Sequence, residues 1–311
     1  MEEASSVAGY EILKDADDIA QFLQASTGMQ PEYLQLSRGH ANLQYRWIDL
    51  AGVTLLWGHS ESRAIWRDQM ANSGLHFGYV VSSDGSVSVR GKDLRHDQAM
   101  VWLADQEMEY ILPGSVLVVE IGVEQHILDE LGWRFHGDAL AKVSYQNLCS
   151  LTRTCVAAHQ VFHWTANAQT EYRERILDDL EPVLAPWMTQ NLVTKTQTRQ
   201  TSIPYSHFQK ARAVLDHREL NEQIRIEEIC KTLGIPRSTL HYAFRQAVGI
   251  GPRRYFELVR LQGARKTLLS ADRGHTTIAA IALDYGFSDF GRFSKLYNAQ
   301  FNEMPSQTLA K

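Results

Sequence analysis

The sequence predicts an α+β chain of two domains. Residues 1–200 read as a β-barrel or β-sandwich with flanking helices, and residues 203–311 as an all-α domain with two helix-turn-helix units joined by a long helix. Three observations predict this. The net charge of -5 is unevenly spread: residues 201–311 carry 16 Lys+Arg against 10 Asp+Glu, leaving 15 against 26 before them. A basic third on an acidic chain points that third toward a polyanion. All seven tryptophans lie before residue 200, and the hydrophobic texture changes from short β-like runs to helical periodicity. The seam is placed in the polar run 194–202.

The elements follow in order. Residues 10–28 place Ile12, Ile19, Phe22 and Leu23 on one helical face. Leu43–Leu50, Val53–His59, Leu75–Ser82, Val87–Arg90, Gln98–Leu103, Met108–Leu112 and Val116–Ile121 are apolar runs parted by turn residues, the spacing of a sandwich or small barrel. Val80–Val89 reads as a hairpin with Asp84-Gly85 at its tip, where glycine tolerates positive φ, and Pro113-Gly114 makes the next turn. Helices are predicted over Glu124–Leu131, Ala139–His163 and Glu171–Leu180, the last stopped by Pro182 and Pro186. No run approaches the length of a membrane span, since the most apolar segment, Val116–Val123, contains Glu120. The start, MEEASS, lacks an apolar run, so a cytoplasmic chain is expected.

The basic third carries a helix-turn-helix grammar twice. In 226–245, a first helix buries Ile226, Ile229, Cys230 and Leu233. Gly234 then supplies a left-handed turn, Ile235 plugs the gap, and a second helix buries Leu240, Ala243 and Phe244. Its other face presents Arg237, Ser238, His241, Tyr242 and Arg245, side chains that a major groove accepts. In 277–297 the turn is Gly286, the plug Phe287 and the cap Ser288. That second helix buries Phe293, Leu296 and Tyr297 and shows Gly291, Arg292 and Lys295. A helix of about 16 residues from Pro252 joins the units and spans about 24 Å. The two recognition helices could then stand about 34 Å apart, one turn of DNA.

These residues resemble the DNA-binding domain of the AraC/XylS family of transcriptional regulators. The resemblance rests on Leu233-Gly234-Ile235, Ser238-Thr239-Leu240, Phe244, Gly249, Pro252, Tyr255, Arg260-Leu261, Ala264-Arg265 and Leu268. It continues through Ile278-Ala279, Ala282, Gly286-Phe287-Ser288-Asp289, Phe293-Ser294-Lys295 and Pro305-Ser306. It implies a reader of double-stranded promoter DNA acting on RNA polymerase, usually as an activator. It also implies a separate N-terminal domain for an effector and for homodimerisation. Base contacts would fall on Ser238, His241, Tyr242, Gly291, Arg292 and Lys295, and phosphate contacts on Arg237 and Thr239. Three positions depart from the family pattern. Pro236 stands where a serine usually caps the recognition helix, Gly291 replaces a polar residue, and Leu309 lies where an arginine is frequent.

Residues 1–200 resemble the cupin-like sensor of such regulators, of the ethanolamine-utilisation type. Trp47, Trp57, Trp66, Phe77, Tyr79, Trp102 and Tyr110 fall on predicted strands. They either line an effector cavity or, for most of them, simply fill the core. Leu140, Val143, Leu148, Leu151 and Cys155 form an apolar stripe read as a dimer seam, the alternative being a cap on the barrel. No metal or cofactor is expected. The His-x-His of enzymatic cupins is absent, His159 and His163 read as an exposed helix surface, and no P-loop, dinucleotide or nucleophile-elbow motif occurs. One alternative, DNA-targeted thiol transfer on Cys149 or Cys155, lacks any basic neighbour to activate the thiol; another is a regulator whose N-terminal domain only dimerises, with no effector. No enzyme activity is expected.

Overall fold

The computed structural model describes residues 8–13, 18–19, 22, 32–68, 74–103, 108–135, 140–161, 163–188, 202–216, 225–271 and 276–310. The predicted seam at 194–201 lies outside them. Among the described residues the N-terminal half holds twelve strands: β1 (Ala8–Leu13), β2 (Glu32–Gln35), β3 (Leu43–Asp49), β4 (Val53–Ser60), β5 (Ala64–Asp68), β6 (Gly74–Ser83), β7 (Val87–Val89), β8 (Lys92–Leu94), β9 (Gln98–Leu103), β10 (Met108–Leu112), β11 (Val116–Glu124) and β12 (Leu140–Lys142). They form two open sheets. One has the order β1-β3-β4-β11-β6-β9-β12 and the other β2-β5-β10-β7-β8. Of the two expected forms, the sandwich is the one adopted.

Period-2 alternation decides what each sheet buries. On the seven-stranded sheet, Leu43, Tyr45, Leu56, Met100 and Trp102 face the second sheet and meet Tyr33, Trp66, Val87, Val89 and Tyr110. The alternate residues Val53, Leu55, Leu75, Phe77, Tyr79, Val119 and Ile121 face outward into a second core. That core is closed by helices α1 (Gln125–Glu130), α2 (Tyr145–His159) and α3 (Ala166–Met188).

Several expectations are corrected. The start of the helix expected over 10–28 is strand β1, paired with β3 from Ala8↔Ile48 to Leu13↔Leu43. Asp18, Ile19 and Phe22 are helical, and the rest of that span is outside the described residues. The expected Val80–Val89 hairpin is a crossover: β6 pairs with β11 and β9, whereas β7 pairs with β10 and β8. The Pro113-Gly114 link crosses between the sheets beside it, joined by Asp84 N–H to the Ser115 carbonyl at 2.9 Å. Gly85 is needed there for close approach, since a Cβ would lie 2.8 Å from Pro113 Cβ. The helix expected over 139–163 begins as strand β12 on the free edge of β9, and α2 starts only after Ser144, which accepts from Asn147 N–H. Helix α3 runs through Pro182 and Pro186. Its face of Ile176, Leu180, Val183, Leu184 and Trp187 is buried, which outweighs about 3 kcal/mol of cost for an internal proline. Val143, Leu148, Leu151 and Cys155 are buried in the same core, so the stripe caps the sandwich and is not a dimer seam.

The C-terminal third is helical: α4 (Ile203–Asp216), α5 (Ile226–Leu233), α6 (Arg237–Val248), α7 (Pro252–Ser270), α8 (Ile278–Asp284), α9 (Phe290–Phe301) and α10 (Pro305–Leu309). Phe208, Phe244, Tyr255 and Phe256 stack edge-to-face, with centroids 5.1–5.5 Å apart. Leu36, Ile65 and Ile111 of the sandwich join that cluster. The second unit has its own core of Leu261, Leu268, Ile281, Phe287, Phe293, Tyr297 and Phe301.

Candidate nucleic-acid interface

Local chemistry sets the two reading helices. Helix α5 ends at Gly234 with φ 65 and ψ 31, the left-handed geometry that a glycine adopts without a Cβ penalty. Helix α6 starts after Pro236, whose extended backbone (φ -62, ψ 153) has no side-chain cap. The expected loss of a capping serine therefore stands. In the second unit the cap is Asp289, not Ser288: its Oδ1 accepts from Arg292 N–H at 2.9 Å. The joining helix α7 has 19 residues, about 28 Å of rise, longer than expected.

Leu240, Ala243 and Phe244 are fully buried, as is Phe293. This turns Arg237, Ser238, Tyr242, Gly291, Arg292 and Lys295 outward, while Thr239 and His241 are half-buried. Arg237 is tied to Glu227 at 3.2 Å. Between the two units lies a groove of about 470 Å³ whose wall includes Arg225, Arg237, Arg253, Arg260 and Arg292, against Glu227, Glu257 and Asp289. Two predicted contacts, Arg237 and Arg292, therefore meet in one groove. Arg225, Arg253 and Arg260 join them, three residues that the helix-turn-helix pattern alone does not mark as contacts. The signal was available: Arg253 and Arg260 are seven apart, two helical turns, on one face of α7. Arg260 sits over the Phe287 ring at 4.9 Å and donates to the Gly286 carbonyl at 3.3 Å. Burial pushes its guanidinium below its ordinary pKa, Glu257 raises it, and Arg292 and Arg253 lower it again. Cations crowded this way are relieved by an anion.

The seven candidate effector residues separate. Trp66, Trp102 and Tyr110 are buried between the sheets with Trp47 packed at their edge, and Phe77 and Tyr79 lie in the outer core. Trp57 instead lines a cavity of about 310 Å³ on the outer face. His159 packs edge-on to Trp57 and is not a bare surface residue. Among the described residues, no His/Cys/Asp/Glu cluster could hold a metal ion. Cys155 is fully buried; burial, then Asp179, push its thiol far above the ordinary range. No described helix is long and apolar enough to cross a membrane.

Residues 229–311 match the family described as a helix-turn-helix domain. The chain is 31% identical over 100 residues to the probable thc operon regulatory protein of Rhodococcus erythropolis, covering 32% of this chain and 30% of that one. It is 32% identical over 90 residues to the XylDLEGF operon transcriptional activator of Pseudomonas putida, covering 29% and 28%. The C-terminal third is an AraC-type helix-turn-helix domain. The alignments span under a third of either relative. The AraC-like transcriptional activator CuxR is similar over 89% of this chain and 100% of its own, at 12% identity and a TM-score of 0.44. Within the AraC-type domain, the arginine-lined groove lies between α5–α6 and α8–α9.

Proposed function

We propose that the chain is a sequence-specific DNA-binding regulator of transcription, an activator acting on RNA polymerase as a homodimer, with the sandwich as its effector-sensing half. One observation carries this reading: two helix-turn-helix units on a single rigid helix, with an arginine-lined groove between them. Side chains presented by α6 and α9 enter successive major grooves, and the groove arginines take the phosphates that cross between them. Ser238, His241 and Tyr242 read one half-site, and Arg292 and Lys295 the other. Gly291 has no side chain and allows close approach. Arg237 and Thr239 meet phosphate.

The test is binding to sites selected from genomic DNA. His241→Ala and Arg292→Ala are expected to relax preference in different half-sites, each by about 1–3 kcal/mol of discrimination. Equal loss on selected and random DNA would overturn the assignment.

A further inference from the structure

The outer-face cavity is built by five elements, four strands whose side chains the register brings together and the end of one helix. Tyr10 pairs with Arg46 across β1–β3, and Gln44 with His59 across β3–β4. Trp57 lies between them on the same face. The last turn of α2 closes the space with Val156, His159 and Gln160, and Leu117 of β11 forms its floor. The cavity therefore sits between the sheet and a helix end, on the opposite side of the seven-stranded sheet from the packed aromatic interior.

Two polar atoms in its wall are buried without a hydrogen-bond partner, Trp57 Nε1 and His159 Nε2. Their rings meet edge-on, with centroids 5.8 Å apart. An indole N–H is donor-only, so an unpaired one asks for an acceptor. Leaving such an atom buried and unpaired is unfavourable, and an occupant that reaches it would recover that cost. Arg46 lies over the Tyr10 ring at 5.1 Å, and no carboxylate of a described residue pairs with it. Burial, then the Arg46 charge, lower the His159 pKa to about 4. His159 is therefore neutral near pH 7, and Arg46 is the fixed charge among the lining residues.

We propose that this cavity binds a small monocarboxylate with an apolar body. The carboxylate takes the Arg46 guanidinium and the Trp57 N–H, and the body lies against Leu117, Val156 and the ring faces. The long side chains of Gln44, Arg46 and Gln160 shift at the mouth to let it reach the buried nitrogen. His159 Nε2 accepts from a ligand hydroxyl where one is present. The inference rests on the sandwich being the sensing half and names the chemistry that it senses.

The experiment is calorimetric titration of the full 311-residue chain with phenylacetate, cyclohexanecarboxylate and hexanoate, each against its neutral amide. At least one acid is expected to bind about ten-fold or more tightly than its amide, the increment of a charge-assisted hydrogen bond. Arg46→Gln should abolish that preference, and Trp57→Phe, which keeps a ring, should weaken the acid about ten-fold. Circular dichroism on each variant establishes that it is folded. His159→Phe provides a second route, expected to lower affinity most for a hydroxylated acid such as mandelate. No heat from any acid, equal binding of acid and amide, or an acid preference that survives Arg46→Gln would overturn the proposal. DNA binding is assayed on the same preparation. A chain that binds selected DNA but no acid loses this inference alone. One that binds the acid but no DNA loses the regulatory reading alone.

Discussion

Replacing Glu109 tests whether the two halves are held as one unit by a buried charge. Glu109 sits on β10, a strand buried at every position, and is itself only 4% exposed. Its carboxylate accepts from Arg67 Nε at 2.8 Å within the sandwich, and from Tyr205 Oη at 2.5 Å and Arg212 on α4. Burial opposes the Arg67 charge, yet Tyr255, Glu109 and Glu32 hold its pKa above the ordinary value. Burial, then Glu109, push the Tyr205 phenol up, so it remains a donor. In Glu109→Gln both guanidiniums lose their buried anion. Glu32, whose side chain is 74% exposed, is a weak substitute, worth about 0–1 kcal/mol. Removing one partner of a buried pair costs about 3–5 kcal/mol. Glutamine keeps one acceptor oxygen, which places it near the low end, and alanine near the high end. The assay is urea unfolding followed by indole emission, which reports only residues before 200, and by far-ultraviolet circular dichroism, to which the helical third contributes heavily. The two transitions should coincide in the parent and separate in Glu109→Ala. Glu109→Gln within about 0.5 kcal/mol of the parent, a surface-like effect, with both transitions still coincident, would refute the reasoning.

Arg253→Ala, an exposed change in the groove wall, should leave base preference intact and reduce the salt slope of DNA binding by about 1; an unchanged slope would place the phosphate elsewhere. Burial lowers the pKa of His76 to about 4, whereas in the unfolded chain it titrates near 6.5. Between those values the unfolded state binds the extra proton, so stability falls as pH falls, by up to about 3 kcal/mol. His76→Phe, which retains the stack on Trp102, should flatten the pH profile of the urea midpoint relative to the parent; identical profiles would remove His76 as the source. Gly263→Ala should gain about 1 kcal/mol of helix propensity, but its Cβ would lie 2.4 Å from Tyr285 Cε1, and that ring is held by Thr267 at 2.7 Å. Overpacking costs about 1–3 kcal/mol, so net destabilisation is expected in thermal melts, and a rise in Tm would contradict the packing.

What the sequence made legible follows how local the cause is. Helices α5 and α6 are set by the Gly234 turn and by apolar residues three and four apart, signals contained in one short window. Gln98–Leu103 and Met108–Leu112 are legible to the residue because polar and turn residues bracket short apolar runs. Strands β2, β5 and β8 are not legible, because each begins or ends on a charged residue, Glu32, Asp68 and Lys92, and none reads as an apolar run. Strand β1 is not legible, because Ile12, Ile19 and Phe22 share a helical spacing, whereas Ile12 is 55% exposed and its strand exists through pairing with β3, some thirty residues on. The outer cavity was illegible for the same reason, since Tyr10, Arg46, Trp57 and His159 come from four separate elements. Glu109 was the one long-range feature with a local trace, a carboxylate inside the otherwise apolar Met108–Leu112.

The junction also constrains how the reading head can move. The first unit is seated on the sandwich through Leu36, Ile65 and Ile111, and Arg63 donates to the Val248 carbonyl at the end of α6 at 2.9 Å. The second unit is held by Gln300 of α9, only 1% exposed. Its amide donates to the Ser37 carbonyl at 2.6 Å and the Gln35 carbonyl at 3.3 Å, while its backbone carbonyl accepts from Gly39 N–H at 2.8 Å. Arg254 of α7 donates to the same Gln300 side chain at 2.6 Å. Residues 35–39 thus touch α9 directly and α7 through Arg254, and Leu36 within that stretch packs under the first unit. Gln35 ends β2, the edge strand of its sheet, which among the described strands pairs with β5. An edge strand can shift without breaking a sheet interior, so displacing β2 would alter both seats of the reading head together. Any coupling between the sandwich and DNA affinity then has a short physical route, through β2 and the loop that follows it, and linkage requires that it act equally in both directions.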